Sequence, residues 1–372
     1  MLNSIQKVLL GFVLGMVSCS IYAQCNGHSE LCDKRYDQVA YLTTHNAFNA
    51  GDEGFNLPNQ THGLTQQLEE GVRALMLDVY DEGGVATVYH GFAFLGTTTL
   101  ESNLMEIKNF LDANPNEVVT LLFETYISAN MMDTVITQVG LKPMLHVQVL
   151  GEPWPTLQEM IDADKRLVVF SDDNNAQPGQ DWYHYMWSFA VETNFDNNAL
   201  SDFTCDFNRG NSINDLFILN HFATDPSLGT GRTDLSEQSN QFSYFYNRAM
   251  SCWSETGRFP NFPTVDFYEL GQTLEVVDSL NGIHSTVGIS NTSQPSFSVS
   301  PNPSNGLFRI KWKAIDLNAT YTIFNISGKC ILNGGLKKSS TIDLTLQPQG
   351  IYFLSISNSK GTETIKLVNL PN

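Results

Sequence analysis

The sequence predicts an α/β domain built on a parallel sheet, closed as a barrel or doubly wound, followed by a small C-terminal β-sandwich. Short apolar runs alternate with amphipathic helical stretches over residues 38–280, as crossover connections between parallel strands require. Those runs repeatedly carry a polar side chain at or near their ends: His45 after residues 39–42, Asp78 within 73–80, His90 after 85–89, Glu124 after 118–123 and Asp266 within 263–267. Polar groups gathered at strand ends are expected at the mouth of an active site on such a scaffold. Beyond residue 296 the period changes to two, with glycine at the turns, which is the pattern of an antiparallel sandwich.

Residues 1–23 read as a signal peptide. Lys7 is their only charge, residues 8–17 are apolar with interrupting glycines, and Ile21 and Ala23 precede a cleavage expected before Gln24. The apolar run is shorter than the roughly 20 residues a membrane span needs. Acylation at Cys19 is disfavoured because Met16 stands where a lipid-attachment site carries leucine. Export to an oxidising compartment favours disulfides among the five remaining cysteines. Several connectivities are open; Cys25 with Cys32 and Cys205 with Cys252 are the preferred pairs, leaving Cys330 over. Neither pair has the two-to-four-residue spacing of zinc ligands.

The remaining elements follow in order. Residues 24–37 are expected to cap the bottom of the sheet, and residues 46–61, polar and aperiodic, to form a loop over the site. Residues 65–70 form a short helix stopped by Gly71, and residues 81–84 a turn before the run that ends in His90. Leu100, Leu104, Ile107 and Leu111 share one face of a helix over residues 99–111, with Thr99 as its cap. Further helices are expected at 131–139, 157–163, 238–252 and 270–280, and further strands at 166–170 and 216–219. Periodicity weakens over residues 178–215, where Tyr183, Tyr185 and Trp187 read as core or pocket wall. A linker is placed at 289–296, separating a 24–288 domain from a 297–372 sandwich whose strands at 307–312, 320–325, 340–346 and 351–357 are divided by Gly328, Gly334, Gly335 and Gly350.

Charge narrows the partners. The chain carries 39 acidic and 20 basic residues, and residues 24–294 hold 36 against 11, a net of −25. That excess repels phosphate backbones, which argues against nucleic acid and against loose adhesion to anionic lipid. It suits a divalent cation, although solubility alone accounts for most of it. The sequence contains neither a phosphate-cradling P-loop nor a dinucleotide fingerprint.

Several ordered motifs together carry a resemblance. Thr44, His45 and Asn46, residues 71–81 (Gly-Val-Arg-Ala-Leu-Met-Leu-Asp-Val-Tyr-Asp), His90 with Gly91, Asn114 and Pro115 with Glu124, and Val265, Asp266 and Tyr268 resemble the X domain of the phosphatidylinositol-specific phospholipase C superfamily, especially its plant and bacterial phosphodiesterase-like members. The resemblance implies a distorted TIM-type barrel. The tail, with residues 301–306 (Pro-Asn-Pro-Ser-Asn-Gly), Gly328 and residues 350–353, resembles the C-terminal sorting domain of the type IX secretion system of Bacteroidetes. That implies secretion or display on the outer cell surface after passage through the periplasm, with the secretion machinery as a partner.

By the resemblance, His45 is the general base that takes a proton from the inositol 2-hydroxyl, His90 is the acid that protonates the leaving oxygen, and Asp266 orients His45. The first product is a cyclic inositol phosphate. The substrate class is a phospholipid or another small phosphodiester, with peripheral contact to a membrane. Metal-independent members carry an arginine where Tyr80 stands. Calcium-dependent members carry oxygen ligands that map onto Asn46, Asp78 and Glu124, with Met76 replacing one carboxylate. Oxygen donors suit Ca²⁺ or Mg²⁺, and metal-independent catalysis stays open. Two rival readings stand beside this one: a glycerophosphodiester or phospholipase-D-like enzyme, whose Glu-x-Asp pair Met76 also breaks, and a non-catalytic surface module that binds lipid or headgroup.

Overall fold

The computed structural model describes residues 24–283 apart from Leu228, and residues 297–370 apart from 313–319, 326–328, 336–338 and 359–360. The expected leader and linker lie outside these residues. The chain divides into two compact units, Met1–Ser285 and Thr286–Asn372.

The first unit runs β1 (Thr43–Thr44), α1 (Leu64–Glu69), β2 (Ala74–Glu82), β3 (Val85–Val88), β4 (Thr98–Thr99), α2 (Leu100–Ala113), β5 (Val119–Tyr126), α3 (Ala129–Val139), α4 (Leu157–Asp162), β6 (Leu167–Ser171), β7 (Tyr183–Tyr185), α5 (Met186–Phe189), β8 (Ala190–Thr193), β9 (Phe207–Gly210), β10 (Leu216–Asn220), α6 (Thr233–Ser239), α7 (Phe242–Thr256), β11 (Phe262–Val265) and α8 (Thr273–Leu280). Parallel strands follow the sheet order β7-β6-β5-β2-β1-β11-β10-β8, and β9 adds antiparallel to β8. Because β1 pairs with both β2 and β11, the last barrel strand returns to the first. The sheet is thus a distorted TIM-type barrel, with no pairing of β7 with β8 among the described residues. The seam has a plain cause: only the four residues of α5 join these strands, whereas adjacent parallel strands need a crossover of a dozen residues or more.

Alternation along the strands sorts the core into two shells. Leu75, Leu77, Leu121, Phe123, Phe217 and Val265 belong to the cluster shared with the helices, while Ala74, Leu122, Val168, Phe170, Ile218 and Phe262 pack in the barrel interior. The N-terminal segment closes the interior at the start of the strands. Tyr36 stacks on Trp154 at 4.5 Å, and its hydroxyl pairs with Thr120 Oγ1 at 2.6 Å. The Cys25–Cys32 disulfide ties this plug, Cys205–Cys252 joins the segment before β9 to α7, and Cys330 is exposed and unbridged. Thr99 caps α2 by accepting from the Ser102 amide.

Three expectations are corrected. The run ending in His90 is an antiparallel hairpin arm, β3 on β2, and not a parallel strand. Gly83 and Gly84 both take positive φ, and Gly84 N donates to Asp81 Oδ1 at 2.7 Å, which makes the tight two-residue reversal that only antiparallel strands can share. The helix expected over 238–252 is two helices, α6 and α7, broken at Asn240, whose buried amide donates to the carbonyls of Asp266 and Phe267. In the second unit Gly334 and Gly335 are not turns. They end strand β15, where the Tyr321 ring of the facing strand covers Gly334.

The second unit contains β12 (Phe297–Ser300), β13 (Leu307–Trp312), β14 (Thr320–Asn325), β15 (Cys330–Gly335), β16 (Ser339–Asp343), β17 (Gly350–Asn358) and β18 (Gly361–Asn369). They form antiparallel sheets β12-β13-β16 and β15-β14-β17-β18. Phe308, Ile310 and Ile342 of one sheet meet Ile323, Leu354, Ile356 and Leu367 of the other, the inward face of a sandwich.

Candidate active site

The register of short parallel strands assembles the site. Thr44 pairs with Val265 on one side and Leu75 on the other, so His45 and Asp266, each one residue past its strand, are neighbours. His45 N donates to Val265 O at 3.0 Å, and His45 Nδ1 lies 2.9 Å from Asp266 Oδ1. Asp266 is fully buried, and its second oxygen accepts from Asn59 Nδ2 at 3.1 Å. Asn59 is fixed in that orientation because its own Oδ1 accepts from Asn46 and Asn49, at 3.2 and 2.7 Å. A carboxylate only accepts, so Nδ1 of His45 carries a proton, which in the neutral ring leaves the lone pair on Nε2. Phe222 stacks on the His45 ring at 3.8 Å and holds its plane.

On the opposite wall, Asp78 and Glu124 are register partners of β2 and β5, and register partners of a parallel pair share one face. Met76 and Leu122 lie one step deeper, Tyr80 and Tyr126 one step outward, the latter two stacked at 4.5 Å. The hairpin arm returns His90 to this wall. Its Nδ1 meets Asp78 Oδ2 at 2.9 Å and its Nε2 meets Gly229 O at 3.0 Å. Both partners are acceptors, so both ring nitrogens are placed to donate, an arrangement that favours the imidazolium. Burial opposes that charge, but Asp78, the Gly229 carbonyl and Glu124 outweigh it and raise the His90 pKa above its ordinary value. Burial and the Asp78 charge raise that of Glu124, whose carboxylate accepts from Tyr126 Oη.

The two imidazoles face each other with ring centroids 6.3 Å apart and planes 73° apart. His45, Asn46, Asp78, His90 and Glu124 line one cavity, and Asp266 stands behind His45. Met76 lines the same cavity. Asp78, expected as a metal ligand, gives one oxygen to His90.

The weakly periodic stretch hid a further part of the site. Arg209 on β9 is the only lysine or arginine among the cavity-lining residues. Its Nε donates to the buried Glu192, and its guanidinium lies between the Trp187 and Phe195 rings, 4.4 and 4.6 Å from their centroids. Glu192 also accepts from Asn208 and Asn220. Burial raises the pKa of both Glu124 and Asp172, and Arg209 offsets part of that rise. Residues 207–210 alternate too briefly to read as a strand, and nothing local reveals that β9 folds back over the barrel. Arg73, by contrast, is structural, paired with Glu117 at 2.7 Å.

Residues 31–281 match the PI-PLC X 1 family over more than half the chain. The chain belongs to this family. Residues 298–369 match the secretion system C-terminal sorting domain, so this PI-PLC X protein is exported, to be secreted or held at the cell surface. A PI-PLC X domain-containing protein of Arabidopsis thaliana is 29% identical over 273 residues, covering 66% of this chain and 62% of the relative. One from Arthroderma benhamiae is 29% identical over 282 residues, covering 70% and 90%. The chain therefore spans less than two thirds of the Arabidopsis relative's length. Among solved structures, phosphatidylinositol-specific phospholipase C of Staphylococcus aureus is 14% identical with a TM-score of 0.47, covering 67% of this chain and 94% of that one.

Proposed function

We propose that the first unit is a phosphoric diester hydrolase that cleaves a phospholipid between phosphate and glycerol. The observation that carries this reading is the pair of opposed dyads, His45 with Asp266 and His90 with Asp78, facing each other across one cavity. Each nitrogen needs an oxygen within ~2.6–3.2 Å, and a phosphate between the rings offers one to each.

His45 Nε2 takes the proton of the attacking hydroxyl, by family the 2-hydroxyl of inositol, as its oxygen bonds to phosphorus. The bond from phosphorus to the glycerol oxygen breaks, and His90 Nε2–H, now held by Gly229 O, delivers its proton to that oxygen. A cyclic phosphate and diacylglycerol result. In the second step the neutral His90 accepts a proton from water, the water oxygen attacks phosphorus, and His45 returns its proton to the inositol oxygen. Asp266 and Asp78 keep each ring in the required tautomer and offset the imidazolium charge. Arg209 supplies a fixed cation to the cavity as charge grows on the phosphate oxygens.

Asn46, Asp78 and Glu124 fit a calcium ion: burial and the neighbouring Asp78 charge raise the Glu124 pKa, a strain that a cation would relieve, and the Asn46 amide nitrogen is taken by Asn59, which leaves its carbonyl oxygen as the donor. Bound there, the ion supplies positive charge to the phosphate oxygens and to the attacking hydroxyl. Met76 lines the cavity beside this set where a further carboxylate would complete it, so the set is short of one charged ligand and its affinity is low.

The test is product analysis on phosphatidylinositol with purified protein. Cyclic inositol phosphate is the expected first product, and His45→Ala and His90→Ala each lower kcat by about 10²–10⁴ with folding intact. Release of glycerol phosphate, or near-normal turnover in either variant, rules the scheme out.

A further inference from the structure

We infer that Arg248, a buried arginine of α7, is a positioning residue for both halves of the site: it fixes the exit of β10, from which one side chain holds the base and another anchors the cavity's cation. The inference rests on the hydrolase reading above, and it adds a residue that stands behind the cavity wall.

Arg248 has no ion pair among the described residues, although an uncompensated charge is among the most costly groups to bury. Burial pushes its pKa down to about 10, which leaves it charged at neutral pH. Its hydrogen bonds go to backbone and to an imidazole instead. Nη1 donates to Asn220 O at 3.0 Å and to His221 Nδ1 at 3.1 Å, Nη2 donates to Thr204 O at 3.1 Å, and the guanidinium lies 4.6 Å from the centroid of the Phe203 ring. His221 is fully buried, its Nε2 meets Ser239 O at 3.0 Å, and burial together with the Arg248 charge holds its pKa well below the ordinary value. Nε2 therefore carries the proton, and Nδ1 offers Arg248 its lone pair. Phe245, Arg248, Ala249 and Cys252 share the buried face of α7. The Cys205–Cys252 disulfide thus clamps to that face the segment whose Thr204 carbonyl Arg248 holds.

These contacts fall where the sheet ends. β10 pairs with β8 as far as Ile218 and with β11 as far as Asn220, and the His221 amide then donates to Thr264 O at 2.7 Å. Side chains alternate along an extended chain: His221 points outward to α7, while Asn220 and Phe222 point inward and line the cavity. Phe222 stacks on the His45 ring with the planes 9° apart. Asn220 donates to the buried Glu192, which also accepts from Arg209. Holding the Asn220 carbonyl and the His221 ring from behind therefore sets the inward pair in front. An apolar side chain would fill the same space without the charge, but it could not bind two carbonyls and an imidazole at once, as the fixed fork of a guanidinium does.

The experiment compares, in the full chain, Arg248→Met with Val276→Ala, a buried truncation on α8 that also destabilises. In Arg248→Met the His45 ring protons, shielded by the Phe222 face in the native protein, are expected to shift downfield in imidazole NMR. Its kcat/KM on a water-soluble inositol phosphodiester should fall about 10–100-fold, and the loss in Arg248→Met/Arg209→Met should be smaller than the product of the two single losses. Val276→Ala should keep native shifts and native kcat/KM. Should Arg248→Met fail to fold, Arg248→Lys, which keeps the charge but cannot span both Asn220 O and Thr204 O, is read by the same two measurements with the same expectations. In an active protein, native His45 shifts or native kcat/KM in the folded Arg248 variant overturns the inference. So does a Val276→Ala protein that reproduces both changes, which would reduce Arg248 to a role in stability. A native protein that leaves the soluble diester intact refutes the hydrolase reading, and the His45 shift then decides alone: downfield movement in the Arg248 variant upholds the positioning, and native shifts overturn it.

Discussion

Replacing Asp266 by Asn tests the base most directly, because the surroundings dictate what the amide must do. In the native site one carboxylate oxygen faces His45 Nδ1–H and the other faces Asn59 Nδ2–H. Asn59 cannot turn over without losing the bonds that Asn46 and Asn49 donate to its oxygen. The new amide therefore has two choices. With its oxygen on His45, its NH2 confronts the NH2 of Asn59 in a fully buried place, an unmade hydrogen bond costing about 1–3 kcal/mol. With its oxygen on Asn59, its NH2 requires His45 Nδ1 to accept, so the ring proton moves to Nε2 and the base is gone. The second arrangement wins, and only about one molecule in 5–150 keeps the productive tautomer, at 1.4 kcal/mol per factor of ten. Loss of the carboxylate charge beneath the forming imidazolium adds to this, so kcat/KM should fall by about 10²–10⁴. Nitrogen NMR of the imidazole provides a readout that does not require turnover: the native ring carries its proton on Nδ1, the variant on Nε2. A variant that keeps the Nδ1 proton, or retains kcat/KM within about threefold of native, refutes the reasoning.

Four further outcomes follow from the same geometry. In chelated protein, His90 should titrate above its ordinary value, and Asp78→Asn should bring it down; its contribution to stability is complete below the unfolded pKa and lost as pH rises through the folded one, read by urea unfolding across that range. Rigorous chelation should lower turnover and added Ca²⁺ restore it, with Glu124→Gln raising the concentration needed; equal activity with and without the ion removes the metal from the scheme. Arg209→Met should lower kcat/KM about 10-fold or more, and it should destabilise by about 1–3 kcal/mol in urea, since Glu192 stays buried with only Asn208 and Asn220 as donors. Cys205→Ser/Cys252→Ser opens a link across 47 residues and should cost about 2–4 kcal/mol in the same unfolding measurement.

The sequence alone determined what local rules control. Alternating apolar runs and helical stretches specify a parallel α/β sheet, because each crossover must span the sheet and each strand must be covered on both faces. Thr99 as a cap and period two in the tail are likewise local, and the structure carries both. His45, Asp78, His90, Glu124 and Asp266 were visible as polar residues interrupting or ending apolar runs, and the structure brings them together. The hairpin bearing His90 was legible too, in the paired glycines at 83 and 84, had the turn been weighed above the apolar run behind it.

Tertiary structure decided the rest. That Asp78 gives an oxygen to His90, that Asn59 locks Asp266, and that Gly229 caps His90 depend on contacts between residues 12, 207 and 139 positions apart. Arg209 enters the cavity only because β9 turns back on β8 at the open seam. No periodicity encodes such meetings: a side chain's partners across a barrel are set by strand register and loop path, and those are properties of the closed fold.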